Sequence, residues 1–201
     1  VEWLERLCYR RVESVHELLV ELLTSTPELH QAKLRERGLH DGILALLTSP
    51  CEKARTYAIA YARAHAADMP VERLLRLADE SRMDERFGET YDDTAKFAAE
   101  MLTARAPRDL GLVYLGQMLE INGTLEWAKR SILKSFGRED VPESWLVEMI
   151  YGSHAQRTFA LEFIEKKYPR GAIGPAFFVR VLDDPRQPIN HRATREAMSA
   201  L

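Results

Sequence analysis

The chain has 201 residues, of which 46% are hydrophobic and 29% are charged, and its formal net charge is −3. These proportions are typical of a folded globular protein and exclude an intrinsically disordered chain. The near balance of 28 basic and 31 acidic residues also excludes a global electrostatic attraction to nucleic acid or to an anionic membrane. Only a local patch of charge can supply such an attraction.

Cysteine usage and hydropathy favour a cytoplasmic location. The two cysteines, Cys8 and Cys51, form no closely spaced motif and are too few for a disulfide scaffold. No stretch approaches the roughly 20 apolar residues that cross a bilayer, so we predict no membrane partner. The chain begins at Val1 and ends at Leu201 within a predicted helix, and we therefore expect it to be part of a longer protein.

The hydrophobic periodicity is helical from the first residues onward and predicts an all-α protein. No stretch shows the sustained two-residue alternation of a β-strand. We predict that residues 1–38 form N-terminal helices, which are either a cap or an eroded repeat, ahead of a repeat region at 39–201. Apolar residues that recur at steps of three and four place one face of the first segment in the core: Leu4, Leu7, Cys8, Val12, Val15, Leu18, Leu19 and Leu22.

Four prolines divide the repeat region at regular intervals. Pro70, Pro107, Pro142 and Pro175 are separated by 37, 35 and 33 residues, and each precedes an apolar stripe. Proline suits the first turn of a helix because its missing N–H has no helical partner there. A recurrence in the mid-thirties predicts a repeat of two helices.

A second series marks the start of the other helix in each predicted pair. A small or polar residue is followed by a cation at intervals of 41, 33, 28 and 35 residues. We refer to these cations, together with the adjacent Arg130, as the cation row: Arg55, Lys96, Lys129, Arg130, Arg157 and Arg192.

The helix junctions resemble those of HEAT repeats over roughly residues 40–201. In that family, a leucine-aspartate step ends the first helix, and a basic residue with alanines opens the second. The resemblance implies one continuous α-solenoid of about five stacked antiparallel helix pairs; a compact helical bundle is the alternative. Two junctions carry the similarity: Val181-Leu182-Asp183-Asp184-Pro185 with His191-Arg192-Ala193 and Ala197, and Leu46-Leu47-Thr48-Ser49-Pro50 with Ala54-Arg55 and Ala58.

The resemblance places the cation row on the second-helix face, which is usually concave in HEAT-like stacks. A row of exposed cations can hold phosphates or an acidic peptide, with affinity that falls as salt rises. In the alternative, which we favour because the net charge is balanced, the cations are structural. They then pair with acids at the ends of the first helices, represented here by Asp79, Glu120 and Asp183.

Residues 79–93 form an acidic junction with a formal charge of −5. Insertions in repeat proteins often carry binding function, and Phe87 and Tyr91 are candidate anchors for a partner. A solvated loop is the alternative. The acids lack the fixed spacing and closing glutamate of an EF-hand, which argues against calcium.

No catalytic, cofactor-binding or metal-ligating residue is predicted. The six histidines form no zinc-binding pattern, and no phosphate-binding loop or nucleophile elbow is present. An approach of His40 and Asp41 to Cys51 is the weak candidate for a reactive cluster. Trp127 and Trp145 fit inter-repeat core better than the groove of a HEAT-like DNA glycosylase.

The function favoured by these patterns is a non-catalytic interaction or scaffold module. It presents a curved helical surface to a protein partner or to neighbouring domains of the same chain. The alternative is a HEAT-like protein that binds nucleic acid through the cation row, with chemistry similar to that of DNA glycosylases. A small-ligand enzyme similar to HEAT-type lyases is a third hypothesis, without residue support. The predicted partner-binding residues are Arg55, Lys96, Lys129, Arg130, Arg157, Phe87 and Tyr91.

Overall fold

The computed structural model describes residues 2–65, 68–79, 91–169 and 173–182. Within these ranges all regular secondary structure is helical and no strand occurs, which confirms the predicted all-α class. The chain divides into two compact units, Val1–Leu102 and Thr103–Leu201, called here the N-terminal and C-terminal units. None of the helices described is long and apolar enough to span a bilayer.

The described α-helices are short, and several are joined by single turns of 3₁₀-helix. The 3₁₀ turns include Leu46–Thr48 before α4 and Arg138–Asp140 before α9. The α-helices are α1 Glu2–Cys8, α2 Glu13–Ser25, α3 His40–Ala45, α4 Glu52–Ala64, α5 Val71–Ala78, α6 Asp92–Thr103, α7 Pro107–Met118, α8 Leu125–Ser135, α9 Glu143–Tyr151, α10 His154–Lys167 and α11 Pro175–Leu182.

All four regularly spaced prolines lie at helix starts. Pro107 and Pro175 are the first residues of α7 and α11, whereas Pro70 and Pro142 immediately precede α5 and α9. Pro70 and Pro142 have extended backbones, with ψ of 145° and 141°. At both kinds of position the ring removes only an N–H that no helical carbonyl would accept. The proline series therefore marks one helix of each predicted pair.

Helix α4 is central to the N-terminal unit. It packs against α2, α3 and the turn Leu46–Thr48, while α1 packs on α2 and α3. Residues 2–38 thus belong to the core of this unit; whether they form a cap or an eroded repeat stays a prediction. Ala54 and Ala58 are completely buried on α4, and their small side chains permit close approach of neighbouring helices.

The C-terminal unit contains two packed helix pairs, α7 with α8 and α9 with α10, and α11 packs on α9. Gly116 in α7 lies against α9, since a Cβ built there would come within 3.3 Å of the Met149 Cε and 3.5 Å of the Trp145 ring. The Trp145 ring meets Phe159 of α10 edge-on at 6.5 Å. Gln156, which is buried, donates a hydrogen bond to the Gly116 carbonyl at 3.0 Å.

Ion pairs between distant residues share one sequence interval. Within the N-terminal unit the partners are 33 to 38 residues apart, and within the C-terminal unit they are 32 and 37 apart. This interval matches the spacing of the prolines, so these charged residues contact partners about one predicted repeat away. The pairs are Arg35–Asp68, Glu17–Lys53, Arg55–Asp93, Arg63–Glu100, Arg108–Asp140 and Glu143–Arg180.

Helix α7 is interrupted at Gly111, where φ is 72° and ψ is 167°. This conformation is essentially restricted to glycine because a Cβ would clash with the backbone. The residues on either side of Gly111 are helical. The interruption of α7 therefore depends on glycine at this one position.

We expect Gly111→Ala to lower the free energy of unfolding by about 1–3 kcal/mol because alanine is strained at this φ and ψ. Urea denaturation followed by circular dichroism measures the change. Gly174→Ala is the matched control: its added Cβ meets no atom within 4 Å and its backbone is not left-handed. Equal stability of the two variants would show that Gly111 can adopt an ordinary helical conformation without cost.

Candidate functional site

Arg55 of the cation row is largely buried in the N-terminal unit. Its Nε lies 3.0 Å from both carboxylate oxygens of Asp93, and its Nη1 donates to the carbonyls of Ser49 and Pro50 at 3.0 and 3.2 Å. The guanidinium also stacks over the Tyr91 ring at 4.5 Å. Only 12% of the Arg55 side chain is exposed. Arg55 is thus fully engaged by the protein itself.

The carbonyls that Arg55 binds follow the last turn of the preceding helical segment. Carbonyls at the end of a helix have no partner within the helix and carry partial negative charge. A guanidinium satisfies several of them at once because its N–H groups form a planar fork. Arg157 of α10 binds one such carbonyl in the C-terminal unit: its Nε donates to the Ile150 carbonyl in the last turn of α9 at 3.0 Å.

The carboxylate that pairs with Arg55 is Asp93, in the first turn of α6. The acids named from the sequence were Asp79, Glu120 and Asp183, of which Asp183 lies outside the described residues. The ion pair between Arg55 and Asp93 joins the first turns of α4 and α6.

Lys96, Lys129 and Arg130 differ from Arg55 in their exposure. Lys96 is exposed on α6, and Arg130 is exposed on α8, where its Nε donates to the Glu126 carbonyl at 3.1 Å. Lys129 is 22% exposed and pairs with the Glu126 carboxylate at 3.1 Å. Among the described cations of the row, Lys96 of the N-terminal unit and Arg130 of the C-terminal unit are thus exposed to solvent.

Of the two aromatic anchors predicted in the acidic junction, the structure describes Tyr91. Phe87 lies outside the described residues, as does Arg192 of the cation row. Tyr91 is only 5% exposed, because its ring lies beneath the Arg55 guanidinium. The Tyr91 ring therefore contributes to the core of the N-terminal unit.

A buried polar contact that the sequence did not reveal joins His16 to Ser49. Both side chains are 1% exposed. The His16 Nδ1 lies 2.6 Å from the Ser49 Oγ, and its Nε2 lies 3.2 Å from the Leu7 carbonyl. Because a carbonyl only accepts, Nε2 carries the proton and Nδ1 accepts from the serine hydroxyl. The Ser49 Oγ in turn accepts the Cys51 N–H at 3.0 Å.

This histidine–serine pair lacks the access that a nucleophile requires. A catalytic serine must meet a substrate and an oxyanion-stabilising group, whereas both side chains are enclosed. Burial also raises the pKa of the neighbouring Cys8 thiol to about 11, which keeps that sulfur protonated and unreactive near neutral pH. The cluster is structural.

A second polar cluster surrounds His40, whose Nδ1 lies 2.9 Å from the hydroxyl of the buried Tyr61. The His65 ring meets His40 edge-on at 5.5 Å and Tyr61 at 4.5 Å. The His65 Nδ1 lies 3.9 Å from Asp68, which is bound by Arg35 at 2.6 Å. Within the described ranges, no three acidic, histidine or cysteine side chains are placed to hold a metal ion.

An open groove of about 520 Å³ lies between α2 and α4. The Tyr57 hydroxyl beside it is buried. Burial raises the pKa of Tyr57 to about 12, and the nearby Gln31 side chain opposes this in part. The groove offers neither histidine nor cysteine among its described lining residues, which are Val20, Glu52, Lys53, Thr56 and Tyr57.

Comparison of the chain with protein-family models, curated proteins and solved structures finds no match in any of the three. The resemblance to HEAT repeats therefore stays a prediction.

Replacing Arg55 with alanine should lower the free energy of unfolding by about 2–3 kcal/mol, because the Ser49 and Pro50 carbonyls and Asp93 lose their donor. Arg55→Lys should restore little of this loss, since an ammonium cannot reproduce the fork. Chemical denaturation of the unmodified chain, of Arg55→Ala and of Arg55→Lys measures the free energy of unfolding of each protein.

Arg63→Ala is the matched control for Arg55→Ala. Arg63 is also on α4, also pairs with an acid of α6, Glu100, and also lies over an aromatic ring, that of Phe97. Its side chain is 49% exposed and that of Glu100 is 55% exposed, so its removal should cost less than about 1 kcal/mol. Equal effects at both arginines would contradict a structural role specific to Arg55.

Proposed function

We propose that the chain is a non-catalytic interaction module whose helix pairs present a surface to a protein partner. One observation carries this proposal: Arg55, whose side chain is only 12% exposed, uses its hydrogen bonds on the Ser49 and Pro50 carbonyls and on Asp93. A guanidinium bound in this way contributes little to a phosphate-binding groove. Arg55 thus joins helices, and binding depends on the exposed members of the cation row and on the residues around them.

The packing within each unit supports HEAT-like repeats as the scaffold. In repeat proteins each helix pair contacts its neighbours, so long-range contacts recur at the repeat interval. The ion pairs at separations of 32 to 38 residues follow this rule in both units. The packing of α7 with α8 and of α9 with α10 fits the same organisation. We extend it to about five pairs as part of the proposal.

The charge pattern around the exposed cations favours a protein partner over a nucleic acid. On α6 the exposed residues Asp92, Lys96 and Glu100 follow at intervals of four, which places them on one face with alternating charge. On α8 the exposed cation Arg130 follows the exposed acid Glu126 by four residues. A uniform polyanion is repelled by such acids, whereas a protein surface of mixed charge can complement both signs.

We expect Lys96→Glu or Arg130→Glu to weaken binding of the protein partner about tenfold, or about 1.4 kcal/mol, because each reverses an exposed charge on the proposed surface. The partner is first captured from nuclease-treated lysate by the intact chain and identified, and its affinity for each variant is then measured by calorimetry. Lys33→Glu, another exposed cation, is the control and should bind normally.

Nucleic-acid binding, the competing function, is tested with the same purified proteins. Fluorescence anisotropy with single- and double-stranded oligonucleotides at low and moderate salt should show no specific binding. Tight oligonucleotide binding that weakens steeply with salt, and is lost in Lys96→Glu, would replace the proposal with nucleic-acid recognition. Circular dichroism of each variant confirms that the fold is intact.

A further inference from the structure

His16 links three segments of the N-terminal unit through one enclosed imidazole. The ring belongs to α2, its Nε2–H donates to Leu7 in α1, and its Nδ1 accepts from Ser49 just before α4. With 1% exposure, the ring has no access to water that could replace either partner. The contact between α1, α2 and the start of α4 therefore includes a hydrogen-bond chain that requires neutral histidine.

A second proton on His16 disturbs this chain of hydrogen bonds. Protonated Nδ1 becomes a donor, so the Ser49 hydroxyl can no longer donate to it. The Ser49 Oγ, which already accepts the Cys51 N–H, can accept from Nδ1 with its second lone pair, but its own hydroxyl proton then needs another acceptor. Placing a positive charge in an enclosed site also costs desolvation energy, and the charge would lack a carboxylate partner within this chain of hydrogen bonds.

The groups around His16 do not compensate for that charge. Burial lowers the pKa of His16, and the carbonyls of Leu7 and Cys8 offset this effect only in part. From α1, the titratable neighbour is the Cys8 thiol, whose pKa is raised to about 11. From α2 and α4, Glu17 and Lys53 pair with each other at the exposed surface. Neutral histidine is therefore favoured in the folded unit.

His40 adds a second histidine of the same kind between α3 and α4. Burial lowers its pKa, as do Arg35 and His65 by repulsion, while Asp41 and Asp68 act in the opposite direction. Its Nδ1 contacts the hydroxyl of the buried Tyr61, whose own pKa is raised by burial. In the C-terminal unit, the described histidine is His154, which is exposed at the start of α10.

We propose that His16 is an acid-sensitive latch, whose protonation releases α1 and α2 from the start of α4 while the C-terminal unit keeps its fold. The direction of the pH effect follows from the difference in proton binding between the folded and unfolded states. A histidine whose pKa is lower in the folded state stabilises the fold fully above its ordinary value of 6.5. That stability is lost as the pH falls through this value towards the folded pKa, because the unfolded state then binds more protons. The latch does not depend on the identity of the partner proposed above.

Hydrogen exchange of the full chain at pH 7.5 and 5.5 tests the latch, with labelling times scaled for intrinsic exchange. Protection of amides in α1 and α2 should fall at the lower pH, by up to about tenfold for one histidine whose ordinary pKa is 6.5, whereas α9 and α10 should keep theirs. His16→Asn keeps an acceptor for Ser49 but cannot titrate, so the acid-dependent loss of protection in α1 and α2 should be smaller in this variant, and what remains is the contribution of His40.

His154→Asn is the matched control, and its exchange should respond to pH as the unmodified chain does. Equal loss of protection in both units, or an unchanged acid response in His16→Asn, would overturn the proposal. If His16→Asn does not fold, NMR titration of the histidine rings in the unmodified chain decides. A His16 ring that titrates at or above 6.5, or without accompanying loss of α1 and α2 protection, would also refute the latch.

Discussion

The burial of the Arg55 guanidinium is the constraint on which the N-terminal unit depends. A charged group can leave water only if its N–H groups find acceptors, and those of Arg55 come from the turn before α4 and from α6. Tyr91 covers the remaining face of the guanidinium. Because these partners lie on both sides of α4 in the sequence, the arginine fixes where α6 begins relative to α4. Arg63, about two turns further along α4, pairs with Glu100 at the surface without this constraint.

A buried cation such as Arg55 joins helices, so its role in the fold is separate from the recognition proposed for exposed residues. Where a guanidinium is enclosed by carbonyls and a carboxylate, the field that it presents to solvent is weak. The exposed faces of the second helices then carry small, mixed groups of charge, as on α6. Such faces distinguish partners by the order of their charges more than by total charge. The recognition proposed for this chain should therefore depend on local side-chain patterns more than on its overall charge.

The all-α class and the starts of several helices could be predicted from the sequence, because hydrophobic periodicity and proline placement are local properties. The partners of individual side chains could not, since Asp93 follows Arg55 by 38 residues and Ser49 follows His16 by 33. Tyr91 resembles an exposed anchor in the sequence, and only the structure places it beneath Arg55. The interruption at Gly111 also lacks a sequence marker, because glycine is tolerated within helices. A search one repeat interval ahead of each polar residue would have brought His16 and Ser49 together.

The constant interval of the ion pairs also affects how the chain acquires its structure. The entropy lost when two residues meet rises with the length of chain between them. For pairs such as Arg35–Asp68 and Arg108–Asp140 this length is nearly the same, 33 and 32 residues, although they belong to different units. Contacts of short, uniform reach favour rapid folding. Within each unit, contacts of this reach can therefore form before distant parts of the chain are made.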